Sequence, residues 1–102
     1  MTAMNGYENL EVWEEVCLFA RDVYQAFGKS RDFRLKSQVT RSAVSIASNI
    51  AEGAERDSDP EFSRFLKIAK ASCAECCTQL RIARLSGQIH EGAFTSLDQS
   101  AF

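Results

Sequence analysis

The stretch SIASNIAEGAER, residues 45–56, has the spacing of a helix but small polar side chains where an exposed helix ordinarily has Lys and Glu. It lies within a longer helical pattern that we predict to span residues 33–54. One stripe of this helix is apolar and covers roughly a quarter of the circumference: Leu35, Val39, Ala43, Ile46 and Ile50. A second stripe, about 100° wide, is polar: Arg41, Ser45, Ser48, Asn49, Glu52 and Arg56.

This polar stripe has two explanations. Small side chains let helix backbones approach closely, and short polar groups can form hydrogen bonds across such a contact. We therefore predict that the stripe faces protein and forms an interface. Glu52 and Arg56 are spaced for an ion pair that is weak if exposed, but whose loss is costly if buried. The alternative is an exposed face that happens to carry small residues, since small polar residues on a helix are a weak indication by themselves.

Apolar residues at spacings of three and four predict three more helices, at about residues 10–27, 60–86 and 91–102. For the first of these, Asn9 is the expected N-cap, and Gly28 is expected to end the helix in a left-handed turn. For the third helix of the chain, Ser58 is the expected capping residue, and Pro60 lies in the first turn. The fourth is short, about 18 Å long against roughly 40 Å for the third.

The links between these helices are short and polar, so consecutive helices should be antiparallel. The chain has 102 residues, which fits a single domain at residues 1–102. We therefore predict an all-α fold, an antiparallel up-down-up-down four-helix bundle with a short fourth helix. Five aromatic residues on the apolar stripes should lie in its core: Trp13, Tyr24, Phe27, Phe62 and Phe65.

Charge is unevenly distributed along the chain. The net charge is -2, which argues against a protein whose main role is to neutralise phosphates over a wide surface. Residues 29–41 nevertheless contain five basic residues against Asp32 alone: Lys29, Arg31, Arg34, Lys36 and Arg41. This basic segment is either a solvated loop and helix start, or a contact site for RNA or an acidic partner surface.

The cysteines and the one histidine do not predict a chemical site. Cys73 and Cys76 have the spacing of zinc or redox motifs, but such motifs need a turn or helix start and a second ligand pair. Here both lie mid-helix on the apolar stripe, so we predict that they pack in the core. His90 lies in a predicted loop without a partner close in sequence. We therefore expect no enzyme, no metal and no cofactor.

No apolar run in the sequence is long enough to span a bilayer, and the first residues lack the features of a signal peptide. We therefore expect a cytoplasmic protein without membrane association.

Three segments resemble a known family: LEVWEE at residues 10–15, LKSQVTRSAVSIASNIAEGAER at 35–56 and EFSRFLKIAKASCAE at 61–75. Together they are similar to the four-helix-bundle proteins encoded by intervening sequences of bacterial 23S ribosomal RNA genes. The resemblance covers about residues 8–90, and SxxSNIAEGxxR followed by FxRFLxIA is a specific combination. Matching positions in the third helix include Phe65, Leu66, Ala69, Ser72 and Glu75.

The resemblance implies a four-helix bundle that assembles into a homopentamer, with no assigned activity. Related proteins include the accessory variability protein of diversity-generating retroelements, a basic pentameric barrel that binds a reverse transcriptase and its RNA. This chain is acidic instead. We predict a non-enzymatic assembly module whose partner is itself, with an RNA-binding accessory protein as the alternative. The predicted interface residues are Arg41, Ser45, Asn49, Glu52, Arg56 and Glu75.

Overall fold

The structure, a computed structural model, describes residues 6–90. These residues form a short 3-10 helix and three α-helices: Gly6–Asn9, α1 (Glu11–Ala26), α2 (Phe33–Ala54) and α3 (Asp59–Leu85). This part of the chain contains no strand, so the all-α class is confirmed. The predicted helix at 91–102 lies outside the described residues, and the count of four helices rests on it. None of the three described α-helices has the length and apolar character needed to cross a bilayer.

Side-chain caps fix the starts of α2 and α3 where the sequence predicts them. The Asp32 carboxylate accepts a hydrogen bond from the backbone N–H of Leu35 at 3.0 Å. In the same way, the Ser58 hydroxyl accepts one from the N–H of Glu61 at 3.3 Å. Each bond satisfies an N–H group that has no partner within its helix. Pro60 occupies the first turn of α3, where its missing N–H is not needed.

A reversal of the backbone ends α3. Gly87 adopts a φ of 74°, and the N–H groups of Gly87 and Gln88 donate to the carbonyls of Arg84 and Ala83 at 3.1 and 2.8 Å. This pair of bonds satisfies the last carbonyls of the helix, and glycine adopts the left-handed conformation without strain. The Ser30 hydroxyl also donates to Oε1 of Gln88 at 2.9 Å. The end of α3 is thereby tied to the α1–α2 turn.

The predicted caps at both ends of α1 are wrong. Leu10, not Asn9, occupies the N-cap position, because the 3-10 helix leads directly into α1 and backbone groups make the connection. Gly28 does not have a positive φ. Its N–H donates to the carbonyl of Gln25 at 3.1 Å, so the turn is built from tight i to i+3 bonds and needs no left-handed residue.

α2 is the central helix of the described fold. Its residues meet α3 in reverse order, since Ser45 contacts Ser72 and Gly53 lies against Phe65. The two helices are therefore antiparallel. α1 also packs on α2, but no Cα atom of α1 lies within 8 Å of a Cα atom of α3. α1 and α3 thus flank α2 on different sides, as diagonal helices do in a four-helix bundle.

The core lies along the inner sides of the three helices, and the predicted apolar stripe of α2 is confirmed as part of it. The largest fully buried side chains are Phe27, Leu80, Val16, Val23, Val39 and Cys76. One predicted core residue is wrong, because Tyr24 is 51% exposed, and Leu66 on α3 is 41% exposed in the same way. Both lie roughly 80 to 90° from the centre of their helix's buried face, at its edge. Trp13 and Phe62 are half-buried, whereas Phe65 is buried as predicted.

Candidate assembly surface on the second helix

The polar stripe of α2 divides between two environments. Ser45 and Asn49 are half-buried, and Oγ of Ser45 lies 2.9 Å from Oγ of Ser72 in α3. Nδ2 of Asn49 donates to the carbonyl and hydroxyl oxygens of Ser45 at 2.8 and 3.0 Å. Part of the stripe therefore serves a contact between helices of the same chain. Four members of the stripe are exposed: Arg41, Ser48, Glu52 and Arg56.

Ser42 extends the polar contact between α2 and α3, although it belongs to neither of the two predicted stripes. It is buried, and its hydroxyl lies 2.8 Å from Oε1 of Gln79 and 2.9 Å from the carbonyl oxygen of Val39. A signal for it was present, because Ser42, Ser45 and Asn49 recur at spacings of three and four residues. Such a row of small polar residues marks the line along which one helix meets another.

Gly53 permits the closest approach of α2 to α3. A methyl group built on its Cα would lie 2.7 Å from Cβ of Phe65 and 2.9 Å from Cδ1 of Phe62. The Cβ of Phe65 is attached to the backbone, so it cannot move aside as the end of a flexible side chain could. Glycine is therefore required here for packing, a role that its position near the end of the predicted helix did not reveal.

Arg56, the last residue of the stripe, is directed toward α3. Its guanidinium carbon lies 4.6 Å from the centre of the Phe65 ring, and that of Arg64 lies 4.5 Å away. Two cations over one ring are favourable because the ring face is electron-rich. Within the described residues, Arg56 makes no ion pair with Glu52. Glu75, the predicted interface residue of α3, is exposed.

The exposed side of α2 borders a groove against α1, which we call the α1–α2 groove. Its volume is about 690 Å³. Apolar residues from both helices line most of it, including Trp13, Cys17, Val44, Ala47 and Ala51. The ring of Tyr7 meets that of Trp13 edge-on, with 5.0 Å between their centres. The groove thus has an apolar surface that the 3-10 helix borders at one end.

Charged and polar residues form the rim of the α1–α2 groove. Ser48, Glu52, Glu55 and Arg56 line it from the C-terminal half of α2. The rim therefore has two carboxylates, from Glu52 and Glu55, and one guanidinium, from Arg56, which also lies over the Phe65 ring. Ser48 and Glu52 of the polar stripe are thus part of the same surface as the groove.

A second groove, the α1–α3 groove, lies on the other side of the molecule, where α1 and α3 face each other across α2. Its volume is about 500 Å³. Its lining is largely apolar and comes from all three helices: Val12, Val16, Ile46, Ile50, Leu66, Ala69, Lys70, Cys73, Ala74 and Cys77. The three helices therefore leave apolar surface uncovered on their inner side.

The fold brings only part of the basic segment together. Arg34 and Arg41 are exposed and lie seven residues apart, which places them on the same face of α2. Lys36 is half-buried and lies about 160° around the helix from Arg34. Lys29 and Arg31 are exposed in the turn before α2. One partner surface can therefore contact Arg34 and Arg41 together, but not Lys36.

All four cysteines are free thiols. Cys76 is buried, as predicted, and burial raises the pKa of its thiol to about 11, opposed by a hydrogen bond with Ser42. Cys73 is half-buried beside the core. Burial, with a smaller effect of Glu14, also raises the pKa of Cys17, which lines the α1–α2 groove. Across residues 6–90, no group of three or more His, Cys, Asp or Glu side chains is arranged to hold a metal ion.

These features describe a helical protein in which a central helix joins two antiparallel neighbours and carries polar contacts on one side. Residues 8–101 match the family model described as 23S rRNA-intervening sequence protein. Because the match covers nearly the whole chain, the chain belongs to this family, whose role is unknown. The resemblance in the sequence analysis is thereby confirmed. A search of curated proteins gave no match to the chain.

Proposed function

We propose that this protein is a non-enzymatic helical assembly module that forms a homo-oligomer, and that the oligomer is a pentamer, as the family resemblance implies. The observation that carries this proposal is the α1–α2 groove. Val44 in its lining is 41% exposed, and Trp13 and Cys17 are only half-buried. Apolar surface rimmed by polar residues is typical of protein–protein contact sites. A second copy of the chain would remove this surface from water.

The proposal assigns no catalytic role to any residue. The pKa of about 11 keeps the Cys76 thiol protonated at neutral pH, and a protonated thiol is a poor nucleophile. We expect the protein to act in the bacterial cytoplasm, where its four thiols would remain reduced.

The subunit of this module is proposed to be a four-helix bundle whose short fourth helix is formed by residues 91–102. The reversal at Gly87 and the burial of Ile89 just after it direct the chain back along the bundle. Phe94 and Leu97 have helical spacing and could cover part of the α1–α3 groove. Twelve helical residues span about 18 Å, so this helix would cover about half the length of α3.

Native mass spectrometry and light scattering at tens of micromolar protein test the assembly. We expect the mass of five chains for the wild-type protein. Ser48→Arg places a large charged side chain at the groove and should reduce the proportion of oligomer. Ser37→Arg makes the same change on an exposed residue of α2 outside the groove, and should leave the mass unchanged. A wild-type monomer would contradict the proposal.

A second candidate function is that of an RNA-binding accessory protein. The observation that favours it is the exposed pair Arg34 and Arg41 on one face of α2, with Lys29 and Arg31 exposed nearby. An oligomer would repeat these charges in every subunit, and repeated contacts raise the overall affinity for a long polyanion.

Titration of a structured RNA at two salt concentrations tests this second function. Binding through phosphates should weaken steeply as salt increases, because the released counterions have to be recaptured. Arg34→Glu/Arg41→Glu should abolish binding, whereas Lys36→Glu should reduce it less. Absent binding, or binding that salt does not affect, would eliminate RNA as the partner.

A further inference from the structure

The first half of α3 carries an exposed face with two basic residues. Residues 62–74 contain three basic residues, of which Arg64 and Lys67 lie on this face and Lys70 does not, and Glu61 and Glu75 flank the segment. Within this segment, four exposed residues lie within about 100° of each other around the helix, and we call them the α3 ridge: Arg64, Lys67, Ile68 and Ala71. Ile68 is 39% exposed, and Arg64 pairs with Glu61 at 3.3 Å. Within the described residues, Lys67 has no ion-pair partner.

The rim of the α1–α2 groove has a net negative charge. Glu52, Glu55 and Arg56 line it, so two carboxylates stand against one guanidinium, and residues 8–20, which include the start of α1, contain four acidic residues and no basic one. Neither Glu52 nor Glu55 has an ion-pair partner among residues 6–90. An apolar groove with acidic residues therefore lies on one side of the molecule, and a basic ridge with an exposed isoleucine lies on another.

The groove and the ridge lie at the same height along the bundle. Ser45 of α2 contacts Ser72 of α3, and Gly53 contacts Phe65. The α3 ridge therefore spans the same level as the groove residues at the C-terminal end of α2. Because α1 and α3 flank α2 on different sides, the two surfaces belong to adjacent sides of the molecule that share α2.

We propose that the α1–α2 groove of one subunit receives the α3 ridge of the next subunit. Ile68 would pack on the apolar lining at Ala47 and Ala51, which lie near its level along the bundle. Lys67 would face Glu52 and Glu55. The contact joins two different surfaces at one height on adjacent sides, so repeating it turns the row of subunits. Such a row closes into a ring when the rotation per subunit divides a full turn, as the proposed pentamer requires. This inference rests on the proposed homo-oligomer and names the two surfaces that form it.

Charge reversal on each surface, followed by reversal on both, tests the pairing. Glu52→Lys/Glu55→Lys makes the groove rim basic, and Lys67→Glu/Ala71→Glu makes the ridge acidic. We expect each double variant to raise the dissociation constant by roughly 100-fold or more, because like charges facing across an interface are strongly unfavourable. The variant with all four changes has opposite charges again and should recover most of the oligomer.

Lys29→Glu/Ser37→Glu is the matched control for the ridge variant. It makes the same change in charge on exposed residues at the other end of the bundle, and should leave the oligomer intact. Circular dichroism establishes that each variant is folded. If the wild-type protein is a monomer, the proposed function itself fails. If it is an oligomer that both double variants retain, or if the fourfold variant does not recover assembly, only the groove–ridge pairing is overturned.

Discussion

Gly53 lies inside a helix, where glycine ordinarily costs about 0.5 to 1 kcal/mol relative to alanine. Its lack of a side chain is what lets α2 contact Phe62 and Phe65 at short distance. The sequence places this glycine near the end of a predicted helix, which is also a common position for ending one. Only the partner helix, which the periodicity of α2 does not specify, distinguishes the two roles.

Gly53→Ala should therefore destabilise the protein although alanine favours the helix. The added methyl would lie 2.7 Å from Cβ of Phe65, so the two helices must move apart. We expect a loss of about 1 to 3 kcal/mol in the free energy of unfolding, measured by urea denaturation. Ser48→Ala, on the exposed side of the same helix, is the control and should change stability by less than about 0.5 kcal/mol. An unchanged or more stable Gly53→Ala protein would refute the close-packing role.

Cys76 makes stability depend on alkaline pH. Burial raises the pKa of its thiol from 9.0 to about 11, so the folded protein holds this proton to higher pH than the unfolded chain does. Between these two values the unfolded chain binds fewer protons, and the free energy of unfolding falls as pH increases. The contribution of Cys76 is complete below pH 9 and is lost toward pH 11.

We expect Cys76→Ala to flatten this dependence, by about 2 kcal/mol between pH 9 and pH 11. Urea denaturation of both proteins across that range measures the difference. The other titrating groups are the same in both proteins, so their contributions cancel in the comparison. If the two curves remain parallel, the folded thiol does not hold its proton as described.

At the scale of the helices, capping side chains explain which ends could be predicted from the sequence. Asp32 and Ser58 act locally, on N–H groups three residues away, so both starts follow from the residue types. The ends of α1 depend instead on backbone bonds, made by the preceding 3-10 helix and by a tight turn around Gly28. Those bonds leave no distinctive side chain in the sequence, and both predictions based on Asn9 and Gly28 were wrong.

The polar contact between α2 and α3 can be measured as a coupling energy. We expect a double-mutant cycle of Ser45→Ala and Ser72→Ala to give about 0.5 to 1.5 kcal/mol, the net value of a typical hydrogen bond. Ser48 is exposed on the same helix, so a cycle of Ser48→Ala and Ser72→Ala provides the control and should give a value near zero. Equal values in the two cycles would show that Ser45 and Ser72 do not interact specifically.

At the scale of the whole molecule, the periodicity of apolar residues sufficed to predict the all-α class and the buried face of α2. The polar stripe was a weaker guide. Ser45 contacts Ser72 of α3 and Asn49 donates to Ser45, whereas Ser48 and Glu52 border the α1–α2 groove. A stripe of small polar residues on one helix indicates that neighbouring helices are close, but it does not show on which side of the stripe each neighbouring helix lies.

The position of α2 between α1 and α3 has a consequence for how the molecule opens. Among the described elements, the backbone of α1 comes close only to α2 and the 3-10 helix, so α1 can detach while the pairing of α2 with α3 persists. Native-state hydrogen exchange should therefore show two levels of protection, because amides of α1 should exchange through an opening of lower free energy than amides at the α2–α3 contact. Uniform protection of all three helices would mean that the molecule opens as a single unit.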